Sequence, residues 1–167
     1  MSAIPPDDPA TRAFLRHVLA TLAYRAGKTV RDTDASFSEF MAAAGGKSPR
    51  AILAHMGDLL DWCLRLVRDG EPRWTTATPQ PWPREIERFF AALGSLDAQL
   101  ASGAPIRWDP GRVFQGGLAD ALTHTGQLAM LRRLSGNPMA GENYMRADVV
   151  EGRVGLEQPA PDPRYVF

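Results

Sequence analysis

Asp120 and His124 are one helical turn apart in the stretch ADALTHTGQLAMLRRL, and the chain has only two further histidines, His17 and His55. A carboxylate and an imidazole four residues apart on a helix leave from the same face. If His55 meets them from a second helix, two imidazoles and a carboxylate converge. Burying such groups in an apolar interior costs several kcal/mol unless they pair with one another or bind a metal. A divalent cation removes that cost by accepting all three. Two histidines and one carboxylate suit zinc or nickel first, and iron or manganese after them, and three protein ligands leave one position open to water or substrate. The plainer alternative is a hydrogen-bonded Asp120–His124 pair on a helix face with His55 a core histidine, since D-x-x-x-H alone is a common pattern.

The elements that must position these groups are helices. Asp8-Pro9, Ser48-Pro49 and Asp109-Pro110 each pair a capping side chain with proline at the first helical position. Helices are predicted near residues 9–27, 49–69, 84–102 and 110–135, with a tail over 141–167. Phe14, Leu15, Val18, Leu19, Leu22 and Ala23 repeat at helical spacing in the first. In the second, Ile52, His55, Leu59, Trp62 and Leu66 form a seam that faces another helix. The fourth should turn Val113, Gly117, Asp120, His124, Gln127, Leu131 and Leu134 inward, placing three polar residues mid-stripe in the core. A connector over 28–47 holds a short helical turn before Gly45-Gly46. A proline-rich loop over 71–83 is packed by Trp74 and Trp82, and a further short helix is expected near 144–150. No segment alternates with the period of a half-buried strand. The fold class that follows is all-α, a four-helix bundle in one domain over 1–167 with an irregular C-terminal tail.

Composition narrows the function. At 167 residues the chain fits one domain, domains clustering near about 100–150 residues. Lys plus Arg equals Asp plus Glu, 19 each, so no net field gathers phosphates and nucleic acid is not an expected partner. The single cysteine, Cys63, excludes an intrachain disulfide and a cysteine-cluster zinc site. The opening MSAIPPDDPATR has no basic-then-apolar leader and no apolar run reaches membrane-spanning length, so the expected location is cytoplasmic, away from any membrane.

S-P-R-A-I-L-A-H-M-G-D at residues 48–58, followed by H-T-G-Q-L-A-M-L-R-R-L-S-G at 124–136, resembles the DinB-like superfamily, also called YfiT-like metal-dependent hydrolases. The match runs in order through most of the chain, including the tail. Members are four-helix bundles with a Thr/Ser-Pro start leading to a histidine on the second helix, then H-x-x-x-H-x-G-Q-L on a later one. The resemblance implies that His55 is the first metal-binding histidine and His124 the last. Asp120 stands where many members have the middle histidine, a departure shared with some related thiol-dependent isomerases. Aspartate is the shorter residue, so a water bridge, a weaker site or an empty one would each follow from it. Gly126 and Gln127 match the family's G-Q. A helical glycine costs about 1 kcal/mol against alanine, and the use expected for Gly126 is close approach of a neighbouring helix or ligand. For Gln127, orienting a bound water and a structural hydrogen bond to core backbone are both open, the second being favoured.

Several other residues have two readings. Asp58 either fixes a histidine tautomer from behind or pairs with an arginine beside the seam. Trp62 packs or lines a pocket. His17 is a rim residue and a reserve ligand, and Cys63 is an inert buried thiol. Arg132 and Arg133 complement their own helix dipole. Tyr144 and Arg146 are candidates to fold over the site mouth. Two functions remain open. One is a metalloenzyme acting on a small molecule by hydrolysis, or by transfer or isomerisation with a low-molecular-weight thiol. The other is a non-catalytic bundle that binds a small ligand or partner, its polar triad a satisfied core network. A homodimer is expected under both.

Overall fold

The computed structural model describes residues 7–167; the first six, part of the stretch from which the lack of a leader is read, lie outside the described residues. Six helices follow in order: α1 Pro9–Val30, α2 Ala35–Ser38, α3 Pro49–Asp69, α4 Trp82–Ala101, α5 Pro110–Val113 and α6 Ala119–Leu134. A wider π turn, Phe114–Leu118, joins α5 to α6 without a break. Short 3-10 turns at Tyr144–Arg146 and Pro163–Tyr165 lie in the C-terminal segment. No strand occurs among the described residues, only an isolated bridge between Glu142 and Val166. The chain is all-helical, as its pattern predicts. No helix among the described residues is long and apolar enough to cross a membrane.

The three capped starts form as read. Asp8 accepts from the Thr11 amide at 2.7 Å, Ser48 from the Ala51 amide at 3.3 Å and Asp109 from the Gly111 amide at 2.8 Å. Each such cap contributes about 1 kcal/mol. Elsewhere the limits move. α1 runs past Gly27 to Val30, because Gly27 admits the C-terminal segment and does not end the helix: a Cβ there would lie 3.7 Å from the Leu156 carbonyl. α4 starts at Trp82, two residues early, since Pro83 sits in the first turn where no amide is needed. The short helix expected near 144–150 is one 3-10 turn.

α1, α3, α4 and α6 share one core in which Leu19, Leu53, Leu60, Phe89, Leu93 and Leu118 are fully buried. Phe14 is the exception on α1, 56% exposed beside Phe114.

The fourth helical stretch departs most from its expected stripe. Val113 and Gly117 are buried as expected, but Leu134 is exposed, Gln127 is exposed, and Asp120 and His124 are only half-buried. From the last residue of the π turn onward the buried positions are Leu118, Ala121, Thr125, Leu128 and Arg132, with Leu131 alone kept from the expected set. The cause is the π turn, which takes one residue more than an α turn. One residue is about 100° of rotation, so the stripe slides forward by one. Gly117 permits this: a Cβ there would lie 2.0 Å from Cys63 Sγ and 3.5 Å from the Leu59 carbonyl. Gly117→Ala is therefore expected to cost about 1–3 kcal/mol by overpacking, against the about 0.5–1 kcal/mol that alanine normally gains in a helix. Urea denaturation checks this, and adding Cys63→Ala to Gly117→Ala should recover stability if the clash is with the thiol.

Candidate metal centre

α3 and α6 bring His55, Asp120 and His124 together. His55 Nε2 lies 3.5 Å from Asp120 Oδ2, and His124 Nε2 lies 3.4 Å from Asp120 Oδ1. One ligand atom from each residue falls within a common 4.8 Å. The imidazoles meet edge to face, centroids 4.9 Å apart and planes at 88°. Both carboxylate distances exceed the about 2.7–3.2 Å of an N–H···O hydrogen bond. Each taken singly, to a different carboxylate oxygen, equals the spacing of neighbouring ligands around a tetrahedral ion, about 3.3–3.6 Å for bonds of about 2.0–2.2 Å.

Gln127 Oε1 lies 2.8 Å from His124 Nδ1. With that oxygen as acceptor, Nδ1 carries the proton and Nε2 turns its lone pair to Asp120, the arrangement a metal ligand requires. The backbone-bonding core role expected for Gln127 is thereby corrected: its side chain is exposed and engages His124. The expectation that the triad sits inside the core is corrected too. Asp120 is 42% exposed, His55 29% and His124 12% as side chains, so the cluster is a rim site. The one-residue slide of the stripe put it there. Gly126 makes no close approach either, since it is exposed with nothing within 4 Å of a Cβ.

Trp74 is the neighbour that sequence reasoning left as packing. Its ring lies 5.7 Å from His55 and 5.9 Å from Trp62, and it is 42% exposed. Trp62, the expected pocket residue, therefore stands one ring back, its Nε1 donating to the Pro72 carbonyl. Nothing periodic marks Trp74, which lies in an aperiodic loop, so no spacing argument reaches it.

Asp58 bonds to Arg88 and the loop, with no hydrogen bond to His55 among the described residues. It is buried, accepts from Arg88 at 2.9 Å and from the Ala77 amide at 3.3 Å, and so follows its arginine-paired reading. Arg88 also reaches Asp61, the fully buried Glu85 and the Ala54 carbonyl, lying over Gly57, where a Cβ would come within 2.7 Å of it. Glu85 in turn accepts from the Gln80 amide. These bonds fasten the loop over 71–81, and Trp74 with it, to α3 and α4.

The remaining candidates lie elsewhere. His17 is exposed on α1. Tyr144 packs on Tyr24 under the Arg25 guanidinium, on α1. Arg132 does more than complement its own helix: it is buried and donates to the Lys28 and Arg31 carbonyls at the end of α1, and to Asn137. Compared with family models, with curated proteins and with solved structures, the chain matches none.

Cys63 is fully buried and burial pushes its thiol up to about 12. Its ordinary value is about 8.5, so the unfolded chain ionises first as pH rises. The stability linked to this thiol is complete below about pH 8.5 and lost toward pH 12. Wild type should lose about 2 kcal/mol more than Cys63→Ala between about pH 8 and 10.5. Denaturation curves of both proteins at the two pH values measure it.

Proposed function

We propose that this chain is a DinB-like four-helix bundle built from α1, α3, α4 and the joined α5–α6 stretch, in which His55, Asp120 and His124 hold one divalent cation, zinc or nickel first. The observation that supports this reading is the 3.4 and 3.5 Å spacing of the Asp120 carboxylate from two imidazole nitrogens. It is too long for direct hydrogen bonds and suited to a shared ion. The donor set fits a borderline cation, and both carboxylate oxygens are near enough that aspartate's short reach is no obstacle.

A divalent ion there supplies Lewis acidity that lowers the pKa of a water or low-molecular-weight thiol at its open position, for hydrolysis or for thiol-dependent transfer or isomerisation. The chain's residues do the positioning. Gln127 holds the His124 tautomer, and Trp74 covers one side of the His55 ring. Asp120 cancels one of the two positive charges, so the occupied site stays net positive and favours an anionic small molecule. The proposed protein works on such a molecule in the cytoplasm, as a homodimer, without nucleic acid. The competing reading is a non-catalytic dimeric bundle that binds a small ligand or partner, with His55, Asp120 and His124 a satisfied polar network.

Elemental analysis of protein purified without chelator separates the two. One equivalent of metal is expected, with Gln127→Leu binding about ten-fold more weakly and His55→Ala or His124→Ala losing the ion while retaining their helical circular dichroism. Cobalt or nickel should quench tryptophan fluorescence on binding, and Trp74→Phe should remove most of that signal. A folded His124→Ala protein with full occupancy would reject the metal reading, as would wild type that takes up no zinc.

A further inference from the structure

We infer that the groove lined by His124 and Lys47 binds a small organic anion with an apolar body, whose charge is anchored by Lys47. That this anion is the substrate class of the site rests on the metal reading; its binding in the groove does not.

The groove lies between the segment over 42–47 and α6, with a volume of about 530 Å³, within the about 300–1,000 Å³ usual for ligand sites. Its floor is Ile52 and Leu131, both buried, and Met130 forms a wall that is 52% exposed. His124 and Gln127 also line it, so the groove adjoins the candidate centre, and Gly45 and Gly46 belong to its wall. At Gly45, with φ of +78°, a Cβ would meet nothing within 4 Å, so the loop leaves this side open.

Met130 and Leu134 share one stripe of α6, at 52% and 58% exposure, and Met41, 47% exposed, precedes the lining residue Ala42. Methionine walls adapt to varied apolar shapes.

Charge selects the occupant. Lys47 is the one lining residue with a fixed charge, and no acidic side chain lines the groove, Asp120 included. Arg50 is engaged by Glu39, whereas no ion pair holds Lys47 among the described residues. A lysine, an apolar floor and a candidate metal-ligand histidine lining one groove match a molecule with an anionic head, a hydrocarbon body and a reacting group. An organic cation would meet Lys47 unfavourably, and an inorganic anion would leave the apolar floor wet.

Octanoate is the probe, titrated into the ¹⁵N-labelled full chain, once stripped with chelator and once loaded with zinc, with octyltrimethylammonium as the opposite-charge control. Saturable shifts of the Gly45 and Gly46 amides and the Gln127 side-chain amide are expected with octanoate in the stripped protein. Lys47→Gln should weaken that binding by about two- to five-fold, the scale of an exposed ion pair, and Lys47→Glu should turn the preference toward the ammonium probe. Equal response to both probes, shifts confined to other regions, or octanoate affinity unchanged in Lys47→Gln would each overturn the inference. If octanoate binds as expected while zinc never does, the groove stands and the metal reading falls. If zinc binds and octanoate does not, the reverse holds.

Discussion

The contact between the Gly117 backbone and the Cys63 side chain governs how α3 and α6 lie against each other. Hydrogen in place of a methyl group lets the two helices approach at that level, and the space is filled by a sulfur that would stand 2.0 Å from any Cβ. The extra residue of the π turn is taken up at the same place. Everything C-terminal to it on α6 is thereby rotated by one position. Thr125 and Leu128 enter the core, and Asp120 and His124 come to rest at the edge that His55 faces. In an unbroken α-helix the same side chains would point at the hydrophobic interior, where a hydrated ion or a substrate would have no path.

Charges buried near this seam do a different task. Asp58, Glu85 and Arg88 form an ion network across α3 and α4, and such networks are weak evidence for stability because desolvation offsets the attraction. Their acceptors are occupied by amides of the intervening loop, Ala77 on Asp58 and Gln80 on Glu85. The network therefore specifies where a proline-rich segment sits, and Trp74 is held against His55 as a result. Gly57 belongs to the same device, since the Arg88 guanidinium occupies the place of its missing side chain.

Helix starts were legible because the chemistry is local: a capping oxygen and a proline at Asp8-Pro9, Ser48-Pro49 and Asp109-Pro110 say the same thing in any tertiary context. His55, Asp120 and His124 could be grouped because one is on a seam and the others share a turn. The depth of that group could not be read. A π turn leaves no periodic mark of its own, and the 3-and-4 spacing of Val113 through Leu134 runs straight through it. Gln127 was misplaced for this reason, and Gly126 with it. Trp74 and Asp58 depended on the path of a loop and on an arginine of another helix, neither of which spacing along α3 encodes.

Arg132 ties the last carbonyls of α1 to the chain that leaves α6. Those carbonyls have no amide of their own helix to turn to, so the guanidinium is their partner, and it cannot discharge at any ordinary pH. The ends of the first and last long helices are thus fastened through one side chain, although a hundred residues of chain lie between them, and parting them would strip the Lys28 and Arg31 carbonyls of that donor.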